Sequence, residues 1–92
     1  MKTETQFPTI HLNGTGYDAL KREVDEAITA VREAMDIVNN MTVHSRDYYI
    51  RKDSDSAWYQ AVEQSRERNI ALNKLYCELI EYRVGIVKQK RG

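Results

Sequence analysis

The stretch YDALKREVDEAITAVREAMDIVNNM, Tyr17–Met41, decides the fold class of this 92-residue chain. Its residues Tyr17, Leu20, Val24, Ala27, Val31, Ala34, Val38 and Met41 follow one another at alternating steps of three and four. That spacing keeps every one of them on a single stripe of an α-helix, a heptad seam. Ile28 and Met35 widen the stripe to the face of a helix packed in a bundle. Thr15 with Asp18 three residues later reads as a capping box at the start. Asn39-Asn40 reads as the end, since Asn tolerates a left-handed C-cap. Asp18–Arg22 and Arg32–Asp36 are spaced to pair on the wet side.

A second helix is expected from one of the N-cap residues Asp53, Ser54 or Asp55 to about Lys88. Its stripe is Trp58, Ala61, Val62, Ser65, Arg68, Asn69, Leu72, Leu75, Tyr76, Leu79, Tyr82 and Ile86. The middle of that stripe, Ser65, Arg68 and Asn69, is polar, and a buried charge is costly unless paired. Arg68 is therefore expected to meet a carboxylate such as Asp47 or a bound anion. A second apolar line, Ile70, Cys77, Ile80, Val84 and Val87, needs a cover of its own. The shorter first helix can supply only one cover, so self-association is expected. The expected architecture is all-α. It comprises an extended arm (1–16), a first helix (17–40), a loop (41–54) and a second helix (55–88). They form an antiparallel hairpin within a homo-oligomeric helical bundle.

Within the arm, Phe7–Asn13 alternates apolar and polar residues, an extended segment or short edge strand with Pro8 limiting its pairing. The closing KQKRG reads as a solvated basic tail.

Composition narrows the function. Lys+Arg and Asp+Glu are equal at 14 each, which removes the concentrated basic face that a duplex reader needs; nucleic acid is an unlikely partner. The charge is nonetheless uneven. Residues 1–40 hold four basic and seven acidic side chains, residues 41–92 ten and seven. The start MKTETQFPTI lacks the apolar core of a signal peptide, and no run approaches the ~20 residues of a membrane span. A cytoplasmic protein is expected. Cys77 is the lone cysteine, and with His11 and His44 it forms no metal-ligand spacing. No nucleophile elbow or phosphate-binding loop occurs. Neither an enzyme nor a cofactor is expected.

The connection from Asn40 to Ser54, NMTVHSRDYYIRKDS, carries the candidate chemistry. Fifteen residues exceed what a helix–helix turn requires, and long loops are either functional or disordered. Disordered segments are poor in aromatics, whereas this one sets Tyr48 and Tyr49 beside Arg46, Asp47, Arg51 and Lys52. Flat rings among basic donors suit a planar anion such as a nucleotide. The tyrosines could equally cap the end of the core, and the two roles are compatible. A second candidate is the turn Asn13-Gly14-Thr15-Gly16, preceded by His11, at the mouth of the first helix. A helix N-terminus attracts anions, and glycine lets them approach. In a hairpin these two places lie at opposite ends, so one site would need a second subunit.

Pro8-Thr9-Ile10-His11-Leu12-Asn13-Gly14-Thr15, Arg46-Asp47-Tyr48-Tyr49 and Arg68 resemble the recurring motifs of a group of short, mostly uncharacterised proteins of tailed bacteriophages. The likeness covers most of the chain. Where that group often has Pro-Asn-Gly before its RDYY, this chain has Val43-His44-Ser45. The resemblance implies a phage origin. It suggests, by analogy in kind, an anti-defence protein that sequesters a nucleotide-derived immune messenger, such as a cyclic oligonucleotide or an ADP-ribose derivative. Tyr48 and Tyr49 would stack on the base, Arg46 and Arg68 would pair with phosphates, and His11, Asn13, Gly14 and Thr15 would lie near phosphate or ribose. The alternative is a protein-binding module, an inhibitor or adaptor, acting through the apolar face of the second helix.

Overall fold

The computed structural model describes residues 4–91. Two helices make up most of the chain: α1, Tyr17–Asn39, and α2, Ser54–Lys88. Single 3₁₀ turns at Ser45–Asp47 and Gln89–Arg91 complete the regular structure. Among the described residues there is no strand, and Phe7–Asn13 is irregular chain ending in a turn. No helix of the described residues is long and apolar enough to cross a membrane.

α1 follows its sequence pattern closely. Val24 and Ile28 are buried, and Leu20, Ala27, Val31, Ala34, Met35 and Val38 are half-buried on the same face. Its ends differ from expectation. The N-cap is Gly16, extended at φ −70° and ψ 157°, with no side-chain cap. Thr15 therefore lies one residue too early to close a capping box. Asn40 ends the helix with φ −94° and ψ 3°, not in the left-handed region. It does so by donating its side-chain amide to the Asp36 carbonyl at 2.8 Å, which satisfies an acceptor that the last turn leaves open.

The two helices run antiparallel. Arg83 of α2 reaches Asp25 of α1 at 2.6 Å, and the Lys90 ammonium lies 5.1 Å from the centre of the Tyr17 ring. Lys21 completes the cluster at 2.7 Å from the other Asp25 oxygen. These contacts, Lys21 first and Arg83 second, hold the Asp25 carboxyl below its ordinary value. Asp18–Arg22 and Arg32–Asp36 form no ion pair among the described residues.

The face that α2 turns inward follows the sequence stripe except at two positions, Arg68 and Leu75. Trp58, Ala61, Val62, Ser65, Asn69, Leu72, Tyr76, Leu79 and Tyr82 are half-buried, and Ile86 is fully buried. Arg68 and Leu75 are exposed. Arg68 makes no ion pair among the described residues, so the expected link to Asp47 is absent. Carried down from Asp25–Arg83 and Tyr17–Lys90, the antiparallel register brings the end of α1 level with about Asn69. The first fifteen residues of α2, about 22 Å of axis, therefore extend past α1. The polar break at Ser65 and Asn69 falls where the covering helix stops, which removes the need for apolar residues there.

The arm folds back along the far end of α2. The Gln89 amide donates to the Pro8 carbonyl at 2.9 Å and accepts from the Ile10 N–H at 2.8 Å. Thr5 Oγ1 donates to Glu81 at 2.6 Å. Lys88 and Lys90 are exposed, as expected of a solvated basic tail, while Gln89 between them is tied to the arm. Gly92, at the tip of the tail, lies outside the described residues, as do residues 1–3 of the arm.

The core of one chain is small. Among the described residues the buried apolar side chains are Val24, Ile28, Ala57 and Ile86, with Gly85 buried beside them. The molecule measures 63 × 29 × 18 Å with a radius of gyration of 19.3 Å, where a compact domain of this length has about 12 Å.

Candidate functional site

The loop that joins the helices is a strap. It travels from the end of α1 to the start of α2, beside the four turns of α2 that α1 leaves bare. Short local bonds shape it without any left-handed residue. His44 Nδ1 accepts from the Arg46 N–H at 3.1 Å. The N–H groups of Asp47, Tyr48 and Arg51 donate to the carbonyls of His44, Ser45 and Tyr48. Arg51 then grips both Asp53 oxygens, at 2.9 and 3.1 Å. That fork occupies the Asp53 carboxylate, so the N-cap of α2 gives its helix no side-chain bond.

The two tyrosines are not equivalent. Tyr48 is half-buried, with its ring centre 6.1 Å from that of Trp58 and tilted by 53°. Such tilted pairs are favourable, and Tyr48 thereby closes the small core under the strap, the capping role. Tyr49 is 72% exposed. Tyr59, the neighbour of Trp58 in α2, is 73% exposed. Sequence reading missed it, although an aromatic one residue off an apolar stripe is a signal of a ring left in water. Arg46, Asp47 and Lys52 are exposed and form no ion pair among the described residues. The strap therefore offers one free tyrosine, two free cations and a neighbouring helical tyrosine.

At the other end, His11, Asn13, Gly14 and Thr15 are all exposed. The Gly14 N–H donates to the His11 carbonyl at 3.1 Å, and the imidazole closes over the glycine. A β-carbon at Gly14 would come within 2.6 Å of His11 Nε2, so a side chain there would make the exposed imidazole swing aside. Gly16 is open, with nothing within 4 Å of a β-carbon placed there. The N–H groups of the first turn of α1 have no side-chain cap.

The sequence-selected residues fall into three places. His11, Asn13, Gly14 and Thr15 form one group. Arg46, Asp47, Tyr48 and Tyr49 form another, separated from the first by the length of α1, about 34 Å. Arg68 stands between them, some 21 Å along α2 from its start. One chain does not bring these groups together.

Asn69 is the unexpected feature of the middle region. Its Oδ1 is buried and has no hydrogen-bond donor, a state that few buried polar atoms tolerate. It borders a shallow groove lined by Val62, Ser65, Arg66, Ile70 and Asn73. Among the described residues no group of three or more His, Cys, Asp or Glu side chains could hold a metal ion.

No family model, curated protein or solved structure matches the chain.

Proposed function

We propose that the chain is a phage-encoded anti-defence protein that binds a nucleotide-derived immune messenger in the bacterial cytoplasm and withholds it, without chemical change. The protomer is a helical hairpin and the working form a homo-oligomer. The observation that carries this reading is the strap. A long loop is held in one shape by its own hydrogen bonds and by the Tyr48–Trp58 contact, yet leaves Tyr49, Arg46 and Lys52 unengaged. Stacking on an aromatic face is worth about 1–3 kcal/mol per base, and unpaired cations beside it supply charge-assisted bonds to phosphate. Asn13 and Thr15 add neutral donors at the glycine turn, where the first amides of α1 favour an anion.

Calorimetric titration with a panel of cyclic dinucleotides, cyclic trinucleotides and ADP-ribose derivatives tests the reading. Native mass spectrometry of protein recovered from infected cells checks for a retained small molecule. Binding of at least one panel member, released chemically unaltered, is the expected result. A protein that binds none of them and carries nothing out of the cell overturns it.

A second reading has its own observation, the uncovered apolar flank of α2. Ile70 is 60% and Val84 42% exposed, and a protein partner would be held there. In that case the strap is part of an epitope, and capture of one host protein replaces nucleotide binding as the positive result.

A further inference from the structure

The turn between the arm and α1 joins Asn13 to Gly14. Of the five asparagines, at 13, 39, 40, 69 and 73, Asn13 alone precedes a glycine. An asparagine loses its side-chain amide when the next backbone nitrogen closes on the side-chain carbonyl and makes a ring. Closure requires a following residue with no β-carbon in the way, and a backbone able to leave its resting angles. The fold applies these conditions unequally. Asn39, Asn69 and Asn73 lie within α1 and α2, where the next amide is held in the helical ladder. Asn40 donates its side-chain amide to the Asp36 carbonyl at 2.8 Å, and the Met41 N–H after it donates to Val38.

Asn13 is placed differently. Residues 11–16 are all exposed, and the Asn13 side chain makes no hydrogen bond among the described residues. One bond restrains the Gly14 nitrogen, its N–H to the His11 carbonyl at 3.1 Å. A solvent-exposed backbone bond of this kind belongs to the part of a structure that opens most easily. His11 adds what a bare Asn-Gly pair lacks. The Nε2 edge of its ring points at Gly14: a β-carbon there would meet Nε2 at 2.6 Å, nearer than Cδ2 at 3.0 Å or Cε1 at 3.1 Å. Nε2 therefore lies within about 5 Å of the Gly14 nitrogen. That is the reach of a proton acceptor working directly or through one water.

We propose that Asn13 is a site of self-modification, converted to aspartate by Gly14 and His11. The imidazole takes the Gly14 amide proton as the nitrogen bonds to Asn13 Cγ. It returns the proton as the bond from Cγ to the side-chain nitrogen breaks. Ammonia leaves and a succinimide remains. Water then opens the ring at either carbonyl, giving aspartate or its β-linked isomer. No electrons are exchanged, and each product carries a carboxylate where the amide was.

The consequence for the site rests on the nucleotide reading above; the modification does not. Asn13 is a neutral donor near the mouth of α1, whose first amides have no side-chain cap and favour an anion. A carboxylate on residue 13 brings the protein's own negative charge to that place and repels phosphate. The turn is then a clock, and a chain that binds when new lets go as it ages.

Peptide mapping by mass spectrometry of the full chain, held in mildly alkaline buffer, tests the proposal. The Asn13 peptide should first appear lighter by one ammonia and then with an acid in place of the amide, while Asn40 stays intact. Gly14→Ala should all but stop the conversion. His11→Ala should slow it several-fold, and free imidazole in the buffer should restore that variant's rate while doing less for the wild type. An Asn13 that lasts as long as Asn40 overturns the site. A His11→Ala rate equal to or above the wild-type rate overturns the role of His11. Asn13→Asp stands for the product and should bind the nucleotide taken up by the wild type about tenfold more weakly, as loss of a hydrogen bond to a charged group implies. Equal affinity overturns the clock. A wild type that takes up no nucleotide overturns the binding reading and the clock with it, while the mass spectra still decide the modification.

Discussion

The ring of Phe7 lies against the backbone of Gly85, so close that a β-carbon added to Gly85 would come within 2.4 Å of the ring. A glycine in the interior of a long helix is a local cost of about 1 kcal/mol relative to alanine. Here it provides the flat surface on which the arm docks, and the Gln89 amide beside it reads the arm's backbone in both directions.

Gly85→Ala is therefore expected to release the arm and leave the helices standing. Phe7 is 46% exposed, so its docking contributes roughly half the 1.5–3 kcal/mol of a fully buried Phe, about 1 kcal/mol. The helix propensity regained by alanine offsets a similar amount. The melting temperature should shift by less than about 4 °C. Hydrogen exchange gives the decisive reading, because the Ile10 amide loses the Gln89 acceptor when the arm leaves. An Ile10 amide as protected in the variant as in the wild type would show that the ring simply rotates aside.

The Asp25 cluster predicts a pH dependence. The Lys21 hydrogen bond and, next, the Arg83 contact lower the carboxyl pKa in the folded chain from 3.8. The folded state therefore binds a proton less readily than the unfolded one. The associated stability is present in full above the unfolded value and disappears as pH falls through the lower folded value. The difference in unfolding free energy between wild type and Asp25→Asn should stay constant from about pH 7 to 5 and shrink below about pH 4. Because the side chains of Asp25 and Arg83 are each 37% exposed, solvent screening keeps the effect modest, and added salt should reduce it. A difference that persists unchanged to pH 2.5 would place the stabilising contact elsewhere.

The face of α1 was legible because ten apolar side chains agree on one stripe with no charge among them. The face of α2 was legible only in part. Over 35 residues the drift between a 3.5 and a 3.6 residue period rotates a seam appreciably, and Arg68 and Leu75 fall just outside the one actually used. Arg83 is not among the stripe residues, yet it reaches across to α1, where it meets Asp25. The docked arm left one local trace, an isolated glycine within a helical pattern, which signals close approach of another segment. Nothing in the sequence near Gln89 points to residues some eighty positions earlier. In the strap, residue types announced a surface of aromatics and cations. The division of labour between Tyr48 and Tyr49 is a matter of which way each ring turns, and adjacent identical residues cannot disclose it.

Arg68 and Asn69 are neighbours in sequence with opposite expected responses. Arg68 is exposed and unpaired among the described residues, so Arg68→Ala should leave stability within about 0.5 kcal/mol of wild type. Asn69 carries a buried acceptor without a donor, a state that costs about 1–3 kcal/mol. Asn69→Leu should raise the melting temperature by about 4–8 °C for each kcal/mol recovered. If the groove beside Asn69 receives part of a bound nucleotide, the same stabilised variant should bind it more weakly. A destabilised Asn69→Leu would mean that the oxygen is met by water or by a second copy.

Tyr48 and Tyr49 should separate folding from binding. Tyr48 is half-buried against Trp58, so Tyr48→Ala forfeits both area and an aromatic pair and should lose about 2 kcal/mol of stability. Whatever it does to binding is then mixed with loss of the strap's shape. Tyr49 is mostly in water, and Tyr49→Ala should change stability by no more than about 0.5 kcal/mol. If it is the stacking face, the same substitution should weaken nucleotide binding by about 1–3 kcal/mol, or about 5- to 150-fold. Tyr49→Phe keeps the ring and should retain most of the affinity, and Tyr59→Ala tests whether the neighbouring exposed ring takes part. Titration calorimetry and thermal melts on the same four variants measure both quantities side by side. Equal loss of stability at the two positions, with no selective loss of binding at Tyr49, would assign both tyrosines to the core and leave the strap without a stacking platform.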